Sequence, residues 1–242
     1  MRICYLLLLP FFAAAQPCAY LAYDGFDYSQ NNALEAQNSG SGWASPWFVQ
    51  NNDPQLPGYQ TGGGSLIYAD LRTVDGHASG GRAYLTAGRR LDTGPAGPFA
   101  DYIATSDNGI GTRTGGTLWM SALLRKDQNN NQSVFAGLHG SDLAWCDNCT
   151  GEKIEFGYFE GHSDVGGQRR WALRIGNTYY PTSVPVAVGT PAFFVLKLVF
   201  NPSGTAAELF VNPATLGMAG PPAPTVVQSA SAALVLRSVV AY

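Results

Sequence analysis

The chain has 242 residues, of which 13% are charged and 12% aromatic, with 29 glycines and a formal net charge of −3. So few charges beside so many glycines argue against a helical bundle and suit many short strands joined by Gly-rich turns, and the length fits one large β-domain. The small negative charge gives no electrostatic footprint for nucleic acid or for an anionic membrane surface.

Met1-Arg2, the apolar run Ile3 to Phe12 and Ala13-Ala14-Ala15 supply the three parts of a secretory signal peptide, with cleavage expected after Ala15. The run is too short to span a bilayer, and no later stretch reaches the roughly 18 apolar residues a span needs. Residues 16–242 are therefore expected to be a single, exported, soluble domain.

Tyr20 to Tyr28 (YLAYDGFDY) reads as an aromatic-rich strand. Residues 30–57 read as irregular, with Trp43 and Trp47 plugging the end of a sandwich. Short strands are expected at Ser65 to Tyr68 and Gly80 to Thr86, then a loop from Leu91 to Arg113. Thr117 to Lys126 is a strong strand with Leu118, Met120, Ala122 and Leu124 on one face; Trp119 on the other face is assigned to core or end-plug, as is Trp171. Asp127 to Gln132 is a polar turn and Val134 to Leu138 returns from it. Lys153 to Phe159 aligns Ile154, Phe156 and Tyr158, and Arg170 to Ile175 aligns Trp171, Leu173 and Ile175. Val184, Val186 and Val188 alternate before the most apolar stretch of the chain.

That stretch, Ala192 to Pro213, places Phe194, Leu196, Leu198 and Phe200 on one face of a strand. Phe193, Val195 and Val199 fall on the other, with Lys197 the only charge. Asn201-Pro202-Ser203-Gly204 supplies turn chemistry, and Ala207, Leu209 and Val211 return in register. The hairpin is expected to be the central pair of a β-sandwich, covered on both faces. Leu234 to Tyr242 is a last strand, for about ten in all, with no convincing amphipathic helix.

Of four cysteines, Cys4 leaves with the signal. In an exported chain Cys146-Asp147-Asn148-Cys149 is expected to close a small disulfide loop, leaving Cys18 free or paired between chains. A zinc site would need a second ligand pair, and a redox motif would need a helix start, and neither accompanies this CxxC.

Several stretches carry a resemblance: Asp24-Gly25-Phe26-Asp27-Tyr28, then Gln37-Asn38-Ser39-Gly40-Ser41-Gly42-Trp43 with Trp47, then Gly64 to Tyr68. Gly115 to Ser121, Phe194 to Phe200 and Leu209 to Pro213 complete the set. In their order and spacing, from about Tyr20 to Pro213, they resemble the LamG-like, concanavalin A-like domains of secreted bacterial proteins. The resemblance implies an all-β fold of two curved antiparallel sheets, a jelly-roll sandwich. It implies no single activity, because function belongs to sites grafted on a fold. Such domains usually close with a D-E-x-R-x-G strand, which is not found here. Leu234 to Tyr242 is then either the closing strand, or a strand is missing and an open edge is left for another chain.

Glycanases of this fold need two carboxylates about 5–5.5 Å or roughly 6.5–9.5 Å apart. Glu152 and Glu155 fall on opposite faces of their strand, as do Glu155 and Glu160. Glu152 and Glu160 share a face about 26 Å apart, at ~3.3 Å per residue. No pair in that strand works, and no G-x-S-x-G elbow or metal spacing appears. His77, His139 and His162 are expected in loops or at edges. No catalytic residue, cofactor or metal is therefore assigned; calcium enters only by analogy with relatives of the fold. The expected function is a non-catalytic carbohydrate-binding or surface-interaction module. Its candidate contacts are Trp145, Tyr179 and Tyr180 as aromatic platforms, with Asn129, Asp142 and Asp147 for hydroxyls. The alternatives are a structural β-domain assembling through edge strands or Cys18, and a divergent glycan hydrolase.

Overall fold

Ala192 to Asn201 and Gly204 to Val211 pair antiparallel, with Phe194 opposite Val211 and Asn201 opposite Gly204 across the Pro202-Ser203 turn. Phe194, Leu196, Leu198, Phe200, Ala207, Leu209 and Val211 all enter the main core, as the two-residue period requires. This hairpin is the inner pair of a four-stranded sheet.

The computed structural model describes residues 20–242 apart from 52–57, 70, 72, 74–75, 81–84, 105–108, 142–151, 215–221 and 231–233. Among the described residues are fourteen strands and one single-turn 3-10 helix, Ala100–Tyr102. In chain order they are β1 Phe48–Asn51, β2 Gln60–Gly62, β3 His77–Ser79, β4 Leu85–Arg90, β5 Thr117–Leu124, β6 Val134–His139 and β7 Lys153–Tyr158. They continue with β8 Asp164–Val165, β9 Gln168–Ile175, β10 Thr178–Pro185, β11 Ala192–Asn201, β12 Gly204–Val211, β13 Val226–Ala230 and β14 Ser238–Ala241. The protein is all-β, and every strand pairing is antiparallel.

The small sheet runs β13-β12-β11-β5. The large one runs β1-β4-β14-β6-β7-β9-β10, with β8 pairing β9, and β2 and β3 form a separate ribbon. The small sheet lies on the β6 to β10 half of the large one: Phe194 stacks on Phe156 at 5.2 Å between ring centres and meets Trp171 edge-on at 5.1 Å. The irregular N-terminal segment covers the β1-β4 half, where Leu34, Trp47, Tyr59 and Ala87 form a second cluster. Between the two covers a cleft of about 1700 Å³ runs beside β5. The arrangement is sandwich-like.

Four expectations are corrected: two strands, the place of Trp119, and the covering of the central hairpin on both faces. Tyr20 to Tyr28 is not a strand: Asp24 Oδ1 accepts the Phe26 N–H at 2.8 Å and Phe26 takes φ +55°, so the chain turns there. Ser65 to Tyr68 is not a strand either. Trp119 is neither core nor end-plug; it stands 50% exposed on the outer face of the small sheet. That outer face is incompletely covered, since Val227 is also 56% exposed. The expected last strand at Leu234 to Tyr242 is present as β14, which lies in the interior of the large sheet between β4 and β6.

Candidate functional site

Ile154, Phe156 and Tyr158 of β7 point into the core, so Lys153, Glu155 and Gly157 point away from it. Strand register extends this outer face across the large sheet. One row reads Gly88, Val240, Gly137, Glu155, Arg174, Tyr179. The next carries Ser238, His139 and Lys153.

Gly137 decides the geometry of this face. A Cβ there would lie 2.3 Å from the Ile154 carbonyl oxygen and 2.9 Å from Glu155 Cγ. Without one, Glu155 occupies that space and reaches His139 on the neighbouring row, Oε1 to Nε2, at 2.6 Å. Its other oxygen accepts from Arg174 Nη1 at 2.9 Å. The Glu155 side chain is 1% exposed and that of His139 5%. Burial acts to raise the Glu155 carboxyl. The hydrogen bond from His139 and the charges of His139, Arg174 and Lys153 outweigh it, and hold the group below the ordinary carboxylate range. His139 Nδ1 is buried without a hydrogen-bond partner among the described residues. The expectation that each histidine sits in a loop or at an edge therefore fails for His139, which is an interior strand residue.

Tyr179 ends the row. The Arg174 guanidinium lies 4.9 Å from its ring centre, His162 stacks on it at 4.2 Å with 4° between planes, and Phe159 meets it edge-on at 5.3 Å. Arg174 is held in turn by the Gly176 carbonyl at 2.9 Å and Asn177 Oδ1 at 3.4 Å. Tyr179 is half-buried and His162 exposed, so this group forms a partly accessible aromatic and cationic surface. Behind it an aromatic file, Phe159, Phe135 and Tyr242, stacks at 5.2 and 5.0 Å.

The structure separates Tyr180 and Asn129 from Tyr179. Tyr180 turns to the opposite face and packs against the core. Asn129 bonds Arg169 and lines a pocket of about 530 Å³ with Asp164 and Gly167, at the far end of β9 from Tyr179. Trp145, Asp142, Asp147, Cys146 and Cys149 lie outside the described residues, within the connection from β6 to β7. That connection leaves and re-enters beside His139 and Lys153, where the Gly140 N–H donates to the Glu152 carbonyl at 2.7 Å. Glu155, His139, Arg174 and His162 were missed as a group. The parity of Glu155 against Ile154 and Phe156 was the one signal for it.

Among the described residues no group of three or more His, Cys, Asp or Glu side chains could hold a metal ion. Both oxygens of Glu155 are engaged by cationic or ring N–H donors, which stabilises an anion and positions Arg174 beneath Tyr179. No family model matches the sequence, and no curated protein does.

Proposed function

We propose that the chain is an exported, non-catalytic module that binds carbohydrate on the outer face of its large sheet, centred on Tyr179. The observation that carries this reading is the Tyr179 ring, partly open and fixed by Arg174, His162 and Phe159 at the end of a sheet row. A pyranose presents an apolar C–H face that stacks on such a ring, while its hydroxyls take hydrogen bonds from nearby polar groups. Arg174, Asn177 and His162 supply those groups. Trp145 lies outside the described residues and stays a candidate from the sequence alone.

Two sheets sharing one core, joined by antiparallel pairings alone, support the finer reading of a jelly-roll sandwich of the LamG-like, concanavalin A-like type. A binding rather than hydrolytic role fits the buried state of Glu155 and the occupation of both its oxygens. Glycoside hydrolysis needs an acid and a second carboxylate open to the scissile bond. Export through the N-terminal signal would place the module outside the cell, with calcium a further ligand only by analogy.

The test is retention of residues 16–242 on a glycan and insoluble-polysaccharide panel, with and without calcium. The expected result is selective retention on one glycan class, lost in Tyr179→Ala and in Trp145→Ala while circular dichroism and the melt stay cooperative. Absence of retention by a well-folded protein, or retention indifferent to both substitutions, would overturn the proposal.

A further inference from the structure

A cup at the far end of β9 from Tyr179 carries a second inference. Asp164 of β8 stands directly opposite Arg169 of β9, so the two side chains leave the hairpin on the same face. Opposite charges so placed are positioned to pair, yet no ion pair joins them among the described residues. Arg169 is drawn off instead by the polar turn between β5 and β6. Its Nη1 donates to Asn129 Oδ1 and its Nη2 to Asn131 Oδ1 at 3.2 Å. Between those two, Asn130 Oδ1 accepts from Lys126 Nζ at 3.0 Å. Three consecutive asparagines thus hold two cations by neutral side-chain oxygens. The Asp164 carboxylate is left without a cationic partner among the described residues.

Asn129, Asp164 and Arg169 line a cup of about 530 Å³. A single water takes only roughly 30 Å³, and pockets for small ligands run from about 300 to 1,000 Å³. Pro185, Val186 and Val188 give the cup an apolar wall, with Val188 40% exposed. The polar chemistry is two-sided. Asn129 spends its side-chain oxygen on Arg169, so its NH2 group is the free end. Arg169 keeps N–H donors beyond the two given to asparagines, while Asp164 as a carboxylate only accepts. A lone anion would meet the Asp164 charge, and both Nη ends that would grip a carboxylate as a fork are already engaged. A metal ion would meet the Arg169 charge, and no group of three acidic, His or Cys side chains stands ready for one among the described residues. A hydroxyl group both donates and accepts, and so suits both sides of the gap.

We propose that this cup binds one ring of a saccharide through a pair of adjacent hydroxyls. The hydroxyls donate to Asp164 and their oxygens accept from Arg169 and from the Asn129 NH2 group. The C–H face of the ring lies on Pro185, Val186 and Val188. Arg169 and Arg174 are five residues apart on β9, about 17 Å at ~3.3 Å per residue. The site is therefore separate from Tyr179 and does not rest on binding there.

The experiment is an NMR titration of isotope-labelled residues 16–242 with the methyl pyranosides of glucose, galactose, mannose and xylose, beside acetate and alanine as anion and zwitterion probes. The expected result is a saturable shift of the Asn129 NH2 and Arg169 Nε–H resonances with at least one glycoside, and none with acetate or alanine. The shift should persist in Tyr179→Ala and weaken at least about tenfold in Asp164→Asn, which keeps the shape and removes the charged acceptor. Asn129→Ala should weaken it as well, because Arg169 is then released toward Asp164 and the gap closes. Asn129 and Asp164 are both exposed, so a wild-type backbone spectrum is expected in each variant. Should Asp164→Asn fail to fold, Asn129→Ala decides. No shift at these resonances with any glycoside overturns the proposal, as does equal affinity in wild type and Asp164→Asn. Shifts confined to the surroundings of Tyr179 overturn it too while leaving the Tyr179 reading intact. Acetate or alanine binding more tightly than every glycoside would make the cup an ion site and overturn it.

Discussion

Arg89 and Asp24 meet at 2.6 Å with 1% and 4% of their side chains exposed, and this pair fastens the N-terminal cover to the large sheet. Asp24 Oδ2 also accepts from the Trp47 indole N–H and the Tyr28 hydroxyl, each at 2.7 Å. Arg89 donates to the Ser45 and Ser39 carbonyls at 2.9 and 2.7 Å and to Asn38 Oδ1 at 2.5 Å, and it lies 4.9 Å from the Trp43 ring. Every nitrogen of the guanidinium is occupied, so the buried charge is compensated. The two N-terminal stretches that carried the family resemblance are therefore structural, drawn together on one arginine.

Removing one partner leaves the other charge buried without compensation. Asp24→Ala and Arg89→Ala are each expected to lower unfolding free energy by about 3–5 kcal/mol. The double variant Asp24→Ala/Arg89→Ala should cost less than the sum of the two single changes. Urea denaturation of the four chains checks this, and strict additivity would contradict a direct coupling.

Gly137 is required by close approach. Gly137→Val forces the Glu155 side chain and the β7 backbone apart, with a loss on the order of 1–3 kcal/mol for overpacking. Gly58→Ala is the control: its Cβ would meet Val49 at an ordinary 3.6 Å, so a change within about 0.5 kcal/mol is expected. Thermal melts of the two variants should separate clearly.

The hairpin β11-β12 was legible because its alternation, its Asn-Pro-Ser-Gly turn and its length all point to one structure. The Arg89 hub was not, since Arg89 lies 65 residues from Asp24 and nothing local marks either as paired. His139 likewise meets Glu155 across 16 residues, through a gap left by a glycine. The alternation in β5 correctly set Trp119 apart from Leu118 and Met120. It could not show which face would be covered, because that depends on β5 ending its sheet. Tyr20 to Tyr28 misled because its aromatic content suits a strand while Asp24 and Gly25 are turn residues, and the turn prevailed.

Acid should act through Glu155. Its carboxyl is held below the ordinary range, so the stability it contributes is complete above an unfolded value of about 4.3 and is lost as pH falls through the lower folded value. The groups facing it are His139, Arg174 and Lys153, all of which favour the anion. Glu155→Gln should therefore be less stable than wild type at neutral pH, and the gap in melting temperature should narrow from about pH 4 downward. A constant gap down to pH 2 would contradict the assignment.

Adjacent tyrosines on β10 give opposite readouts, because alternate residues of a strand face opposite sides. Tyr180 packs against the main core, so Tyr180→Ala should reduce stability by roughly 2 kcal/mol, below the ~3–5 of a fully buried aromatic. Tyr179→Ala loses its contacts with Arg174, His162 and Phe159, about 0.5–1.5 kcal/mol. Glycan retention, measured well below both melting transitions, should disappear in Tyr179→Ala and persist in Tyr180→Ala. The reverse pattern, or equal loss in both, would place any ligand away from the outer face of the large sheet.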